Sequence, residues 1–129
     1  MIRGIGVDMV QISEIQYYIE SDVLKVSFLS RTFTANERKA AAEQPNQAEY
    51  YATRFAVKEA VFKAVAPCCS ASFDLRIVET LNHADGSPYV NISNAMGKIL
   101  EEAQIDTLHV SITTEGDYAT AFVIACKEK

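Results

Sequence analysis

The chain has 129 residues, of which 49% are apolar and 22% charged, and its net charge at pH 7 is −5. This length suits one domain spanning residues 1–129, and the acidic balance argues against nucleic acid as a partner. No apolar run has membrane-spanning length and no signal peptide opens the chain, so we expect a cytoplasmic protein with no membrane partner. Three cysteines and two histidines without a CxxC motif argue against a structural zinc site.

The predicted elements run from a strand through helices to a sheet. Ser13, Thr34 and Asn46 are predicted helix caps, and Thr34 with Glu37 fits a capping box. Strands are predicted over residues 2–10, 72–80, 89–92, 107–113 and 118–126. Helices are predicted over residues 13–20, 21–29, 34–44, 46–65 and 94–104. We therefore expect an α+β fold in which a mainly antiparallel sheet, joined by the first strand, packs against a long central helix.

The segment RFAVKEAVFK, from Arg54 to Lys63, carries four charges within the longest predicted helix. Glu59 and Lys63 stand four residues apart in the order that favours an ion pair, so a solvated pair on the helix surface is the simplest interpretation. Phe55 and Phe62, each about one turn from Glu59, put this carboxylate beside the buried face. A carboxylate in that position usually has a partner or binds a metal.

Asp8 follows the apolar segment GIGV near the end of the first predicted strand. On its own, such an aspartate is most often a turn or capping residue. Together with Glu59 and Lys63, it suggests a magnesium site. Mg²⁺ binds through one or two carboxylates and completes its coordination with water and substrate phosphates, and a nearby lysine can neutralise phosphate charge.

Basic residues are concentrated in one part of this acidic chain. Seven of the twelve lie between positions 25 and 63: Lys25, Arg31, Arg38, Lys39, Arg54, Lys58 and Lys63. A local basic surface could receive an anionic ligand or an acidic protein, and scattered surface charge is the alternative.

Five segments, in their order and spacing, resemble the holo-acyl-carrier-protein synthases, the small 4′-phosphopantetheinyl transferases. They are GIGVDMV with Asp8, FLSRTFTANE, RFAVKEAVFKAV, GSPYV and HVSITTEGDYATAFVIA. The aspartate motif combined with the R-F-A-x-K-E-A-x-x-K helix is the specific part of this resemblance. The strand segments alone would not distinguish the family.

The resemblance implies an α+β homotrimer with active sites between subunits. It implies transfer of the phosphopantetheine arm of coenzyme A to a serine of an acyl carrier protein, with release of 3′,5′-ADP. Asp8 and Glu59 would bind Mg²⁺, and Lys63 would contact the diphosphate and assist the leaving group. Lys58 and Arg54 would help bind coenzyme A, and either Glu59 or a metal-bound water would take the serine proton. The basic stretch from Lys25 to Lys39 would face the acidic carrier.

Four positions depart from the family pattern. Glu14 stands where a basic residue is usual, Ala66-Pro67-Cys68 replaces a Gly-Thr-Gly loop, Phe62 replaces a small serine, and Thr114 replaces a histidine. Proline offers no N–H to a phosphate, and non-glycine residues resist a tight anion-binding turn. Two alternatives to an active transferase stay open. One is a weakly active or non-enzymatic relative that binds a nucleotide or a protein, and the other is a scaffold subunit.

Overall fold

The computed structural model describes residues 1–69 and 74–129. Its strands are β1 (Ile2–Gln11), β2 (Thr80–Asn82), β3 (Pro88–Val90), β4 (Thr107–Glu115) and β5 (Tyr118–Cys126). Its helices are α1 (Ile12–Glu20), α2 (Lys25–Thr32), α3 (Ala35–Ala42), α4 (Gln47–Val65) and α5 (Ala95–Glu102). Within the described residues, no helix is both long and apolar enough to cross a bilayer.

The main sheet has three antiparallel strands in the order β1-β5-β4. Strands β4 and β5 form a hairpin around Gly116, and β1 pairs with the other edge of β5 from Ile2 to Gln11. A separate two-stranded sheet pairs β2 with β3. Helix α4 packs along one face of the main sheet and supplies much of the hydrophobic core. The predicted α+β fold, with the first strand joining an antiparallel sheet against a long helix, is therefore confirmed.

Two glycines of β1, Gly4 and Gly6, allow the sheet to lie very close to α4. A Cβ atom on Gly6 would lie 1.8 Å from the carbonyl oxygen of Ala60, and one on Gly4 would lie 1.8 Å from that of Ala64. Any side chain at either glycine would push the strand away from the helix. The GIG segment therefore brings the β1 backbone directly against α4, two residues before Asp8.

Strand β1 has two faces with different surroundings. Gly4, Gly6 and Val10 face the core, whereas Ile5, Val7 and Met9 alternate with them on the outer face. The outer residues stay exposed, with 55% of Ile5 and 63% of Met9 accessible to solvent. Tyr118 and Phe122 of β5 are also exposed on this side, next to β1. The part of the outer sheet face formed by β1 and these two residues of β5 is thus an apolar patch that the single chain leaves uncovered.

Local capping signals place two helices as predicted. The Thr34 hydroxyl accepts the Glu37 N–H and the Glu37 carboxylate accepts the Thr34 N–H, which completes the capping box of α3. The Asn46 side chain accepts the Glu49 N–H at the start of α4. The prediction for Ser13 is wrong: α1 begins at Ile12, and the Ser13 hydroxyl and N–H both donate to Asp117.

The strand predicted over residues 72–80 is also wrong in its described part, and residues 72 and 73 lie outside the described residues. Leu75–Ile77 forms a 3-10 turn, in which the Asp74 carboxylate accepts the Arg76 N–H at 2.8 Å. The carbonyls of Leu75 and Val78 accept hydrogen bonds from the ammonium of Lys58 in α4. Because those two carbonyls are bound to a side chain, a strand begins only at Thr80.

Replacing Gly6 with alanine should destabilise the protein strongly. The added Cβ would overlap the Ala60 carbonyl in a fully packed contact, so we expect a loss of about 3 kcal/mol or more in the free energy of unfolding. Urea unfolding followed by circular dichroism measures this loss. The matched control is Gly116→Asn, since Gly116 has φ 57°, which asparagine tolerates, and nothing lies within 4 Å of its added Cβ. A Gly6→Ala protein as stable as this control would contradict the close-contact argument.

Candidate active site

Asp8 and Glu59 lie at the same cavity, although 50 positions of sequence separate β1 from the middle of α4. The cavity volume is about 410 Å³. Its polar lining includes Asp8, Glu59 and Glu14, and its apolar wall is formed by Val10, Ile15, Tyr18, Phe28 and Phe55. Acidic groups thus meet an apolar cleft between α1, α4 and the carboxyl end of β1.

Lys63 connects α4 to Asp8 at this cavity. Its Nζ donates to Asp8 Oδ1 at 3.0 Å and to the Val7 carbonyl at 3.1 Å. The Asp8 side chain is 19% exposed and the Lys63 side chain 52% exposed, so this ion pair reaches solvent at the rim. An ammonium has three donors, and two of them are used among residues 1–69 and 74–129, which leaves one for an anion outside.

The Glu59 carboxyl has a raised pKa. Burial in the cleft is the main cause, the negative charge of Asp8 adds to it, and the positive charge of Lys63 opposes both. The mutual repulsion of Asp8 and Glu59 would be relieved by a divalent cation held between them. Two oxygen-donor carboxylates at the mouth of an open cleft are the donor set that Mg²⁺ prefers, so these residues fit a magnesium ion.

Glu14 adds a third carboxylate to the lining of this cavity. It lies in the first turn of α1 and its side chain is exposed. Helix α1 is fixed there because Ser13 binds Asp117 in the turn between β4 and β5, with Oγ–Oδ2 2.6 Å apart. The sequence departure at position 14 therefore falls at the mouth of the candidate site.

Arg54 lies at a second cavity, one to two turns earlier on α4. The volume of this cavity is about 550 Å³, and it is open to solvent. Arg54 is only 6% exposed; its guanidinium packs 4.0 Å from the centroid of the Tyr50 ring and donates to Thr53 and Asn82. Its Nε has no hydrogen-bond partner in the part of the chain that the structure describes. Gly86 and Asn82, which sequence reasoning did not assign to a site, line the same cavity.

The structure contradicts the predicted contact of Lys58 with the nucleotide part of coenzyme A. The Lys58 side chain is fully buried, and its three protons go to Glu37 Oε1 at 2.8 Å, the Leu75 carbonyl at 3.0 Å and the Val78 carbonyl at 2.7 Å. An ammonium with all three donors used has none for a phosphate. Burial lowers the pKa of Lys58, and the charge of Glu37 opposes that shift. Lys58 is therefore a structural residue.

Glu37 is the interior partner that sequence reasoning missed. Its side chain is fully buried and accepts from Lys58, from the Thr34 N–H at 2.9 Å and from the Thr80 N–H at 3.0 Å. One carboxylate thus joins the start of α3, the middle of α4 and the start of β2. The capping box marked Glu37 in the sequence, but nothing local marked its charge as buried.

The segment after α4 is a 3-10 turn over Ala66–Cys68. The Ala66 N–H donates to the Phe62 carbonyl, the Cys69 N–H donates to the Ala66 carbonyl, and Pro67 has no N–H. Neither Ala66 nor Pro67 therefore presents a free backbone N–H to an anion. Thr114, at another departure from the family pattern, donates to Glu49 at 3.4 Å and lies on the exposed part of β4.

Comparison with known proteins identifies the class. Residues 4–123 match the family model of the 4′-phosphopantetheinyl transferase superfamily. The holo-[acyl-carrier-protein] synthase of Protochlamydia amoebophila is 38% identical over 124 residues, which cover 96% of this chain and 98% of that protein. That of Wolbachia sp. subsp. Drosophila simulans is 34% identical over 129 residues, with coverage of 98% and 99%.

Solved structures show the same fold. The holo-[acyl-carrier-protein] synthase of Neisseria meningitidis superposes with a TM-score of 0.86 at 31% identity, covering 98% of this chain and all (100%) of that one. The synthase of Bacillus anthracis, solved in complex with CoA (3′,5′-ADP), gives a TM-score of 0.75 at 28% identity, with coverage of 97% and 96%. The chain therefore belongs to the 4′-phosphopantetheinyl transferase superfamily. The enzyme class predicted from its motifs, a phosphopantetheinyl transferase, is confirmed.

Glu37→Gln should destabilise the protein more than the loss of any surface ion pair. It leaves the Lys58 ammonium buried without a countercharge, which costs about 3–5 kcal/mol in the free energy of unfolding. Urea unfolding measures this cost, and Arg76→Gln, which breaks an exposed ion pair with Asp74, is the matched control with only a small loss. Combining Glu37→Gln with Lys58→Met should cost less than the sum of the two single changes. Strict additivity in this double-mutant cycle would contradict a direct interaction.

Proposed function

We propose that this protein transfers the 4′-phosphopantetheine arm of coenzyme A to a serine of an acyl carrier protein. The transfer depends on Mg²⁺ and releases 3′,5′-ADP. One observation carries the proposal: in a chain of this superfamily, Asp8 and Glu59 line one open cleft, and the ammonium of Lys63 is bound to Asp8. Phosphoryl transfer needs alignment and charge neutralisation at a diphosphate, and these three residues can supply both.

Each of the three residues has a role in this proposal. Asp8 and Glu59 would hold Mg²⁺, which when bound would neutralise charge on the coenzyme A diphosphate. Lys63 keeps Asp8 oriented through the 3.0 Å hydrogen bond and has one remaining proton for the diphosphate oxygens. That proton would stabilise the charge that develops on the departing 3′,5′-ADP.

Glu59 is also the group in this cleft that is best suited to accept the serine proton. Its carboxylate lines the cleft beside Asp8 and is partly exposed, so an oxygen that does not bind the metal would be available to the serine proton. The serine Oγ would attack the phosphorus that carries pantetheine, the bond from that phosphorus to 3′,5′-ADP would break, and the serine proton would pass to a Glu59 oxygen. The apolar wall formed by Tyr18, Phe28 and Phe55 keeps water away from one side of this reaction.

The cavity at Arg54 is the proposed site for the nucleotide part of coenzyme A. A buried guanidinium with an unpartnered Nε favours an anionic group, and the adjacent Tyr50 offers an aromatic surface. The Bacillus anthracis relative was solved with CoA (3′,5′-ADP), which is consistent with a nucleotide site in this fold. Because Pro67 has no N–H and the Ala66 N–H is bound to the Phe62 carbonyl, the phosphates would depend more on side chains here than on a glycine-rich loop.

An acyl carrier protein is the proposed partner, and helices α2 and α3 offer it a docking surface. Lys25, Arg31, Arg38 and Lys39 are all exposed there. Val23 and Val26 stand beside them with 85% and 75% of their surface accessible. An apolar patch among cations suits an acidic carrier and predicts a rate of encounter that falls with salt. The cytoplasmic location stays a prediction from the sequence.

A homotrimer is the proposed assembly, with sites between subunits. The uncovered apolar outer face of the main sheet, formed by Ile5, Val7, Met9, Tyr118 and Phe122, supports it. Exposure of these apolar side chains to water is unfavourable for a single chain, and burying them against further copies would stabilise the protein.

The test of the proposed reaction is mass spectrometry of an apo acyl carrier protein incubated with coenzyme A, Mg²⁺ and this protein. We expect the phosphopantetheine mass increment on the carrier. Asp8→Asn and Glu59→Gln should each lower the transfer rate at least about 100-fold while the circular dichroism spectrum stays unchanged. Glu102→Gln, an exposed change on α5, is the matched control and should keep the full rate.

Two outcomes would contradict the assignment. Turnover retained in Glu59→Gln would remove its proposed role, and no mass increment with any carrier, the native one included, would remove the transferase reaction. If coenzyme A still protected the protein against thermal unfolding in that second case, the weakly active or non-enzymatic alternative would stand.

The assembly is tested by analytical ultracentrifugation. Ile5→Glu and Phe122→Glu each place a charge on the outer sheet face, so we expect both to convert trimers to monomers. Val26→Glu is the matched control, since it adds the same charge to an exposed apolar position on α2 that lies outside this face. Trimers that persist in both sheet variants, or a wild-type monomer, would contradict the proposed interface.

A further inference from the structure

We propose that His109, Cys126 and Glu128 form a second metal site, which binds Zn²⁺ and is separate from the Asp8–Glu59 cleft. His109 Nε2 and Glu128 Oε1 are 3.1 Å apart. One ligand atom from each of the three residues, the Cys126 sulfur included, lies within 4.8 Å of the other two. The three donors therefore form one cluster at the end of the main sheet, and a small movement of the Cys126 sulfur would bring all three onto one ion.

The β4–β5 hairpin brings the first two donors together. Thr107 pairs with Cys126 and His109 pairs with Ile124, so His109 and Cys126 are diagonal neighbours across the two strands. Cys126 alternates with the inward-facing Ala125, which places its side chain on the outer face with His109. The sulfur lies in a largely buried residue that is 7% exposed, whereas His109 and Glu128 have side chains about half exposed.

The end of the chain is held so that Glu128 faces the same point. The Asp106 carboxylate accepts the Glu128 N–H at 3.0 Å and the Lys129 N–H at 2.9 Å. Lys127 exchanges two hydrogen bonds with Met1, at 2.6 and 2.8 Å. Hydrogen bonds on both sides of Glu128 thus fix its backbone before any ion binds. A preorganised ligand of this kind loses little conformational freedom on metal binding.

The donor chemistry selects the ion. A thiolate, an imidazole and a carboxylate are the ligand types of Zn²⁺, whereas Mg²⁺ takes oxygen donors. At Zn–N and Zn–O bond lengths of about 2.0–2.1 Å, tetrahedral geometry separates the nitrogen and oxygen by about 3.3 Å. The 3.1 Å between His109 and Glu128 is close to that separation. A water molecule would complete the tetrahedron beside His109 and Glu128, whose side chains are about half exposed in the single chain.

This site is independent of the proposed reaction. Asp8 lies on the face of the sheet that packs on α4, while His109 lies on the opposite face. All three ligands come from one chain, so no second copy has to supply a ligand, although His109 and Cys126 lie on the sheet face that carries the proposed trimer interface. The bound ion would tie the chain end, Lys127 to Lys129, to strand β4. Metal binding would therefore stabilise β4, an edge strand of the main sheet.

The test uses the metal-free full-length protein with Co²⁺ as a spectroscopic probe and Zn²⁺ in competition. We expect one Co²⁺ per chain with a thiolate-to-cobalt charge-transfer band, which equimolar Zn²⁺ abolishes. Cys126→Ser should remove the band. His109→Gln and Glu128→Gln change exposed side chains that the fold does not need, and each should weaken Zn²⁺ affinity at least tenfold in calorimetry.

Matched controls separate this site from the other thiols and from the cleft. Cys68→Ser, Cys69→Ser and His83→Gln should keep the band and the Zn²⁺ affinity. Asp8→Asn should also keep both, whatever it does to transfer of phosphopantetheine. No charge-transfer band in the wild-type protein, a band that survives Cys126→Ser, or an affinity unchanged in both His109→Gln and Glu128→Gln would each overturn the proposal.

Discussion

The absence of side chains on two residues of β1 is the constraint on which the candidate site depends. Gly4 and Gly6 let the strand backbone touch the carbonyls of Ala64 and Ala60 in α4. At this separation, an acid at the end of the strand and an acid on the helix can border one cleft. A larger residue at either glycine would widen the space between strand and helix and move Asp8 away from Glu59. The glycines therefore determine the geometry of the chemistry without taking part in it.

Four of the charged side chains of helix α4, those between Arg54 and Lys63, have three different surroundings. The Lys58 side chain lies in the interior, where its ammonium donates hydrogen bonds to Glu37 and to two backbone carbonyls. Glu59 and Lys63 lie at the cleft with Asp8, and Arg54 lies at the separate cavity beside Tyr50. The interior charge fixes the packing of α3 and β2 around the helix, and this packing holds the helix in place for the other three. Helix α4 therefore carries both the buried lysine that stabilises the fold and the residues of the candidate site.

The sequence predicts the features that depend on interactions between residues close together along the chain. The caps at Thr34 and Asn46 use groups three residues away, and both were predicted correctly. Asp8 and Glu59 line one cleft in the structure, and the sequence links these two distant residues only through the resemblance of both motifs to one family. The interior position of Lys58 depends on Glu37, 21 residues away, and the 3-10 turn at Leu75 depends on Lys58 in turn. Likewise, the grouping of His109 with Cys126 appears only once the hairpin register is known. No local pattern encodes contacts of this kind.

Because β1 has a core face and an outer face, the protein is sensitive to insertion or deletion of residues in this strand. Because successive side chains alternate between faces, deleting one residue ahead of Asp8 would exchange inside and outside for the remainder of the strand. Ile5, Val7 and Met9 would then turn toward α4, where the backbone leaves no space, and the acid would turn toward the outer surface. Deleting one residue of β1 would therefore disrupt the core packing, the proposed subunit interface and the candidate site together. A change in length at the exposed turn around Gly116 would leave the alternation of side chains along β1 intact.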